Sequence, residues 1–258
     1  MHAVGREFQG GWIADMNLTG IAPAIDQAIT VGGVGGVQAV VFDFNGTITD
    51  DDEFQFIVYA ETVAAKMGAE LDRAFFFGLR GLNDPDMFRA MHAHHVGGAP
   101  SPEFVETLCR DRLDRYVARV RSISPVRPDA AAFVRALAAR APHVPLAVVT
   151  GAPRAEAAPV LAAEGLLGLF ATVVTAEDVA HGKPDPEGFL AALATLRADR
   201  PWLRADEVLV FEDAAVGITA ARRAGMRCIG VHLQGPEAGA DADEVHDVMG
   251  PHLLYPTA

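Results

Sequence analysis

Apolar residues follow two different periods along this chain. Short unbroken runs occur at 39–42 (AVVF), 144–151 (VPLAVVTG), 170–175, 208–211 (VLVF) and 228–231, and each stops at polar or turn-forming residues. Runs of this length, rich in β-branched residues and closed by turn chemistry, predict buried strands. Elsewhere the spacing is helical. Phe54, Ile57, Val58, Ala60, Val63, Ala64 and Met67 place one stripe over 53–67, with Gly68 as a stop. Further helices are predicted over 71–77, over 84–95 with Asp84 as N-cap and Pro85 at N1, and over a long stretch after the start signal Ser101–Pro102–Glu103. Helical segments also fit 129–140, 156–164, the stretch from the turn at 181–189 to about Ala198, and the residues that follow Glu212–Asp213.

Strands alternating with helices predict an α/β class: a Rossmann-like parallel sheet with helices on both faces. The stretch 53–121 carries no strand signal and interrupts this alternation after the first strand. It is expected to form an inserted α-helical cap domain over the strand ends. The core domain then comprises 37–52 and 122–250, with a C-terminal tail at 251–258. Residues 1–36 end in VGGVGG and are expected to be a poorly ordered extension. Their glycines do not form a GxGxxG opening a helix, which argues against a dinucleotide site.

Composition narrows the function classes. Half of the 258 residues are apolar, enough for a sizeable core. The formal charge of −13 argues against non-specific nucleic-acid binding and against adhesion to an anionic membrane. Cys109 and Cys228 stand far apart, which fits neither a disulfide framework nor a structural zinc site and agrees with a cytoplasmic setting. No apolar run reaches the ~18–20 residues of a membrane helix, and the N-terminus lacks the basic start and apolar block of a signal peptide.

Four predicted strand ends or following turns finish in reactive residues: Asp43, Thr150–Gly151, Lys183 and Glu212–Asp213. Singly each is an ordinary turn or cap residue. In this order, at the carboxyl edge of one sheet, they suit phosphoryl transfer, in which phosphate oxygens need cations and donors. Asp43 and Asp213 offer hard oxygen ligands for Mg²⁺, with Glu212 in or beside the shell and the Asn45 carbonyl as a backbone ligand. A nucleophilic Asp43 gives an aspartyl-phosphate. Lys183 and Thr150 hold the remaining oxygens, and Gly46–Thr47 add backbone donors.

These segments, DFNGTITD (43–50), VVTG (148–151), GKPDP (182–186) and VFEDAAVGI (210–218), resemble in order the four motifs of the haloacid dehalogenase superfamily, in its phosphatase and β-phosphoglucomutase-like branch. The resemblance spans about residues 37–232. It implies Asp43 as nucleophile, Thr150 and Lys183 as phosphate-binding groups, Glu212 and Asp213 as metal acids, and 53–121 as the family's small helical cap.

One residue departs from that pattern. The position two after the nucleophile is usually an Asp that protonates the leaving oxygen and then deprotonates water. Here it is Asn45, which cannot exchange a proton at neutral pH. Three explanations stand: a nearby acid (Asp50, Asp51, Asp52 or Glu53) takes over; the protein is a slow or non-hydrolytic relative; or the sequence carries a deliberate Asp→Asn change. If Asn45 is a handicap, Asn45→Asp raises turnover. The metal-like pair Glu212–Asp213 disfavours the dehalogenase reaction, and Schiff-base phosphonate cleavage would fall to Lys66, the one lysine of the helical stretch.

Arg80, Asn83 and Arg89 in the helical stretch, and Arg154 after the second motif, are candidate substrate contacts. His92, His94 and His95 do not share one helical face, which argues against a metal site. The expected function is Mg²⁺-dependent hydrolysis of a small phosphomonoester. The alternatives are a β-phosphoglucomutase-like mutase and a catalytically silent phosphate-binding protein. The expected partner is a small phosphorylated metabolite, with no nucleic acid or membrane, and the chain acts as a monomer or homodimer.

Overall fold

The computed structural model describes residues 28–79, 82–233 and 239–254. The first described element corrects an expectation. The glycine–valine stretch is an antiparallel hairpin, β1 (Ile29–Val31) and β2 (Val34–Val37), with Val31 paired to Val34. Gly32 and Gly33 both have positive φ, 53° and 85°, which a two-residue hairpin turn requires and which glycine adopts without strain. Val31, Val34 and Val37 are buried, so the glycines shape the turn while the valines pack. The expectation of disorder for 1–27 concerns residues outside the described ones.

The main sheet is formed by β3 (Ala39–Phe42), β4 (Leu146–Val149), β5 (Thr172–Val174), β6 (Val208–Glu212), β7 (Arg227–Val231) and β8 (Glu244–His246). Its order is β5-β4-β3-β6-β7-β8, and every pairing is parallel. The short edge strand β8 has no apolar run and was not anticipated. Alternate residues face opposite layers. Val40, Phe42, Leu146, Val148, Leu209 and Phe211 join one apolar cluster, while Ala39, Val41, Ala147, Val149, Val208 and Val210 join the other. The first is closed by α5 (Pro128–Arg140) and α6 (Arg154–Ala163), the second by α7 (Glu187–Leu196) and α8 (Ala215–Arg223). Phe42 stacks on Phe211 at 5.3 Å between centroids, tying the two central strands together just below their carboxyl ends.

Between β3 and α5 lie four helices: α1 (Asp52–Met67), α2 (Arg73–Gly78), α3 (Asp84–His95) and α4 (Pro102–Val120). Gly68 ends α1 in the left-handed conformation, and the Ser101 hydroxyl caps α4 by accepting from the Phe104 N–H. The cap of α3 is Asn83 rather than Asp84: its side-chain oxygen accepts from the Asp86 N–H at 3.0 Å. The two connections to this helical block run side by side. The Asp50 N–H donates to the Pro125 carbonyl at 2.7 Å and the Arg127 N–H to the Ile48 carbonyl at 2.9 Å.

Candidate active site

The carboxyl ends of β3, β4 and β6 place Asp43, Thr150 and Glu212–Asp213 on one edge, because the strands are parallel and in close register. Lys183 reaches the same edge from the loop between β5 and α7. Its ammonium donates to Asp43 Oδ1 and, at 2.5 Å, to Glu212 Oε1. All of these side chains face a cavity of about 360 Å³ roofed by the helical block.

One ligand oxygen from each of Asp43, Glu212 and Asp213 can be chosen within 4.8 Å of the others. Asp43 is held above the usual carboxylate range by burial first, against the pull of Lys183. Asp213 is raised too, by burial and then by Glu212 and Asp43. Burial pulls the Lys183 ammonium down, but the two carboxylates outweigh it and leave its pKa above the ordinary value. Three crowded carboxylates against one ammonium lack positive charge, and hard oxygen donors in this arrangement fit Mg²⁺.

Two glycines make the acids fit. A Cβ on Gly46, whose φ is +86°, would stand 2.2 Å from Asp213 Oδ2. A Cβ on Gly217 would stand 1.7 Å from Glu212 Oε1. Glu212 is further fixed by the Ala214 N–H at 3.1 Å, and Asp213 by the Thr47 hydroxyl at 3.2 Å. Thr47 thus spends its hydroxyl on Asp213, and neither it nor Gly46 lines the cavity. Thr150 and Gly151 do line it; the Thr150 hydroxyl accepts from the Ala152 N–H and faces Asn45 Oδ1 at 3.4 Å.

Asn45 sits in a network that spacing did not disclose. Its Nδ2 donates to Asp51 Oδ2 at 2.9 Å and to Glu156 Oε1 at 3.2 Å. Gln55 Nε2 donates to the same two oxygens, at 2.8 and 3.0 Å. Arg112, from α4, donates to Glu156 and to the Gln55 side-chain oxygen, and its NH1 lies 3.6 Å from Asp84. Tyr116 and Thr49 complete the shell of Asp51. Glu156 is held above its ordinary pKa, chiefly by burial and against the pull of Arg112. No local pattern marks Glu156, Gln55 or Arg112, since each reads as part of an amphipathic helix.

The remaining candidates separate. Among the four acids considered near Asn45, Asp51 touches it and Asp52 lines the cavity. Asp50 is exposed beside Arg127, and Glu53 is exposed against Arg73. Asn83 lines the cavity, whereas Arg89 pairs with Asp86, itself a lining residue, Arg154 with Asp178 and Lys66 with Asp111, and none of these three cations lines it. His94 stacks on Phe75, and no metal-binding group includes the three histidines among the described residues. Arg80 lies outside the described residues. No helix among them is long and apolar enough to cross a membrane.

Comparison with known proteins agrees with this architecture. A family model for haloacid dehalogenase-like hydrolases matches residues 37–225. Over 116 residues the chain is 42% identical to validoxylamine A 7'-phosphate phosphatase of Streptomyces hygroscopicus subsp. limoneus, a match that spans 43% of this chain and only 52% of that relative. It is 27% identical to the beta-phosphoglucomutase of Bacillus subtilis (strain 168) over 209 residues, 80% of this chain and 88% of the other. Among solved structures, an Asp→Asn variant of CbbY from Rhodobacter sphaeroides in complex with xylulose-(1,5)bisphosphate superposes with a TM-score of 0.72 at 27% identity, covering 84% of this chain and 99% of that one.

Proposed function

The chain belongs to the haloacid dehalogenase-like hydrolase family, and from that premise we propose that it is a phosphoric monoester hydrolase acting on a small phosphorylated sugar with Asp43 as nucleophile. The observation that carries this reading is the Lys183 ammonium bridging Asp43 and Glu212 beside Asp213, at the floor of a cavity. The carboxylate of Asp43 attacks phosphorus, the sugar oxygen leaves, and an aspartyl-phosphate forms. Water then releases phosphate and restores Asp43. Lys183 and the Thr150 hydroxyl hold phosphate oxygens through both steps. Mg²⁺, held by Asp43, Asp213, Glu212 and the Asn45 carbonyl, would supply positive charge against the phosphate oxygens. Asn45 orients through its amide and exchanges no proton. The named relatives, a validoxylamine A 7'-phosphate phosphatase and a beta-phosphoglucomutase, support a phosphosugar substrate.

The test is Mg²⁺-dependent phosphate release from p-nitrophenyl phosphate, repeated on Asp43→Asn. Loss of activity in the variant is expected; activity that survives it refutes the nucleophile. A mutase is the second reading, favoured by the match to beta-phosphoglucomutase over most of both chains and by the bisphosphate bound to CbbY. Product analysis with hexose 1-phosphates separates the two. If neither phosphate nor isomerised product appears, the chain is a phosphate-binding protein.

A further inference from the structure

The two ends of the Asn45 amide are held very differently. Its nitrogen donates to Asp51 Oδ2 at 2.9 Å and to Glu156 Oε1 at 3.2 Å. Its oxygen has one partner among the described residues, the Thr150 hydroxyl, at the long distance of 3.4 Å. The other amide beside it, Gln55, keeps nothing back: its Nε2 also donates to Asp51 and Glu156, and its oxygen accepts from Arg112. Glu156 is what fixes this arrangement. It is 1% exposed, its Oε1 receives Asn45 and Gln55, and its Oε2 receives Arg112. Carboxylates only accept, so Glu156 and Asp51 together settle which way round the Asn45 amide sits.

A bound phosphate disturbs the oxygen end alone. Thr150 has a single O–H, and its oxygen already accepts from the Ala152 N–H at 2.9 Å. When that O–H turns to a phosphate oxygen, as assigned above, Asn45 at the cavity lining keeps both carboxylates but its oxygen loses its donor. An acceptor stripped of its donor in a closed site recruits another. The two half-reactions differ in what they offer it. The departing sugar oxygen carries negative charge and needs a donor, which Asn45 does not present. The water of the second step brings two O–H groups and needs an acceptor. In-line transfer puts the departing and the attacking oxygen on the same side of phosphorus, opposite Asp43.

We propose, resting on the phosphosugar hydrolase reading, that the side-chain oxygen of Asn45 orients the attacking water in the second half-reaction only, and that Glu156 is the positioning residue that holds the amide that way round. The water oxygen bonds to phosphorus, and the bond from Asp43 to phosphorus breaks with its electron pair returning to the Asp43 carboxylate. Both water protons leave on the product as dihydrogen phosphate, so Asn45 accepts a hydrogen bond and takes no proton.

The experiment is a single turnover of p-nitrophenyl phosphate by an excess of the full chain with Mg²⁺, in which p-nitrophenolate reports the first step and phosphate the second. Asn45→Ala keeps the main-chain carbonyl and leaves Asp51 and Glu156 their Gln55 donor. Glu156→Gln introduces an amide that donates as well as accepts, so the Asn45 amide is no longer held one way round. In both variants p-nitrophenolate is expected within about twofold of the wild-type rate, whereas phosphate lags at a rate about tenfold below wild type, the scale of one lost hydrogen bond. A merely structural role would slow both products together, and that result overturns the inference, as does phosphate release at the wild-type rate. If Glu156→Gln does not fold, Arg112→Met with Glu156→Gln, which leaves no buried cation unpaired, takes its place with the same expectation. If the wild-type chain releases no p-nitrophenolate, the hydrolase reading fails and the inference falls with it.

Discussion

Asn45 and Glu156, 111 positions apart, are joined by a hydrogen bond of 3.2 Å from Asn45 Nδ2 to Glu156 Oε1. Carboxylates only accept, so the amide presents its nitrogen to Glu156 and Asp51 and turns its oxygen toward Thr150. An Asp at position 45 loses both donations and sets a third acid against two. Like charges favour the protonated form, and an acid that keeps its proton cannot take one from water. Asn45→Asp is therefore expected to give no gain in phosphate release, in contrast to the expectation drawn from the family pattern. It is also expected to lose about 1–3 kcal/mol of stability in urea denaturation. A faster or equally stable variant refutes the argument.

Lacking a proton donor at position 45 has a kinetic signature. General acid help is typically worth ~10²–10⁴ in rate, and its absence is felt most by poor leaving groups. Turnover is expected to fall steeply as the leaving alcohol becomes more basic, so that p-nitrophenyl phosphate outpaces any sugar phosphate in kcat. A flat dependence across a series of aryl and alkyl phosphates indicates that another acid protonates the leaving oxygen.

The Arg112–Glu156 pair bridges the helical block and α6 with both side chains almost fully buried. Arg112→Met leaves Glu156 without its cation and is expected to cost about 3–5 kcal/mol. Adding Glu156→Gln removes the orphaned charge and should restore a large part of that loss. A double-mutant cycle with additive costs would show the pair to be uncoupled.

Mg²⁺ at a hundredfold excess over Kd should stabilise the protein by about 2.7 kcal/mol relative to EDTA, read as a higher unfolding temperature. Gly217→Ala drives a methyl group into Glu212. The variant is expected to fold and to lose most of the Mg²⁺-dependent shift. An unchanged shift removes Glu212 from the metal site.

Much of this was legible in the sequence, for identifiable reasons. Asp43, Thr150, Lys183 and Glu212–Asp213 are legible because each follows a local change from an apolar run to a turn. The four helices of the block are legible because their stripes and the Ser101 signal are local too. The hairpin at 29–37 was misread because glycine was counted as lost packing, whereas Gly32 and Gly33 supply the turn that lets three valines pack. Strand β8 escaped because an exposed edge of three residues needs no apolar pattern. The network around Asn45 was invisible for a deeper reason. Gln55, Arg112 and Glu156 come from three helices, and nothing within any one of them records which partner folding brings opposite.

The paired connections at Asp50–Pro125 and Arg127–Ile48 carry a consequence for rebuilding this protein. Chain leaving the sheet and chain returning to it already lie one backbone hydrogen bond apart. The insertion is thus spliced into the core as a cassette. Another helical block can be grafted in place of 53–122 without asking β3 or α5 to change course, provided that it sets a cation opposite Glu156, whose partner Arg112 leaves with the roof.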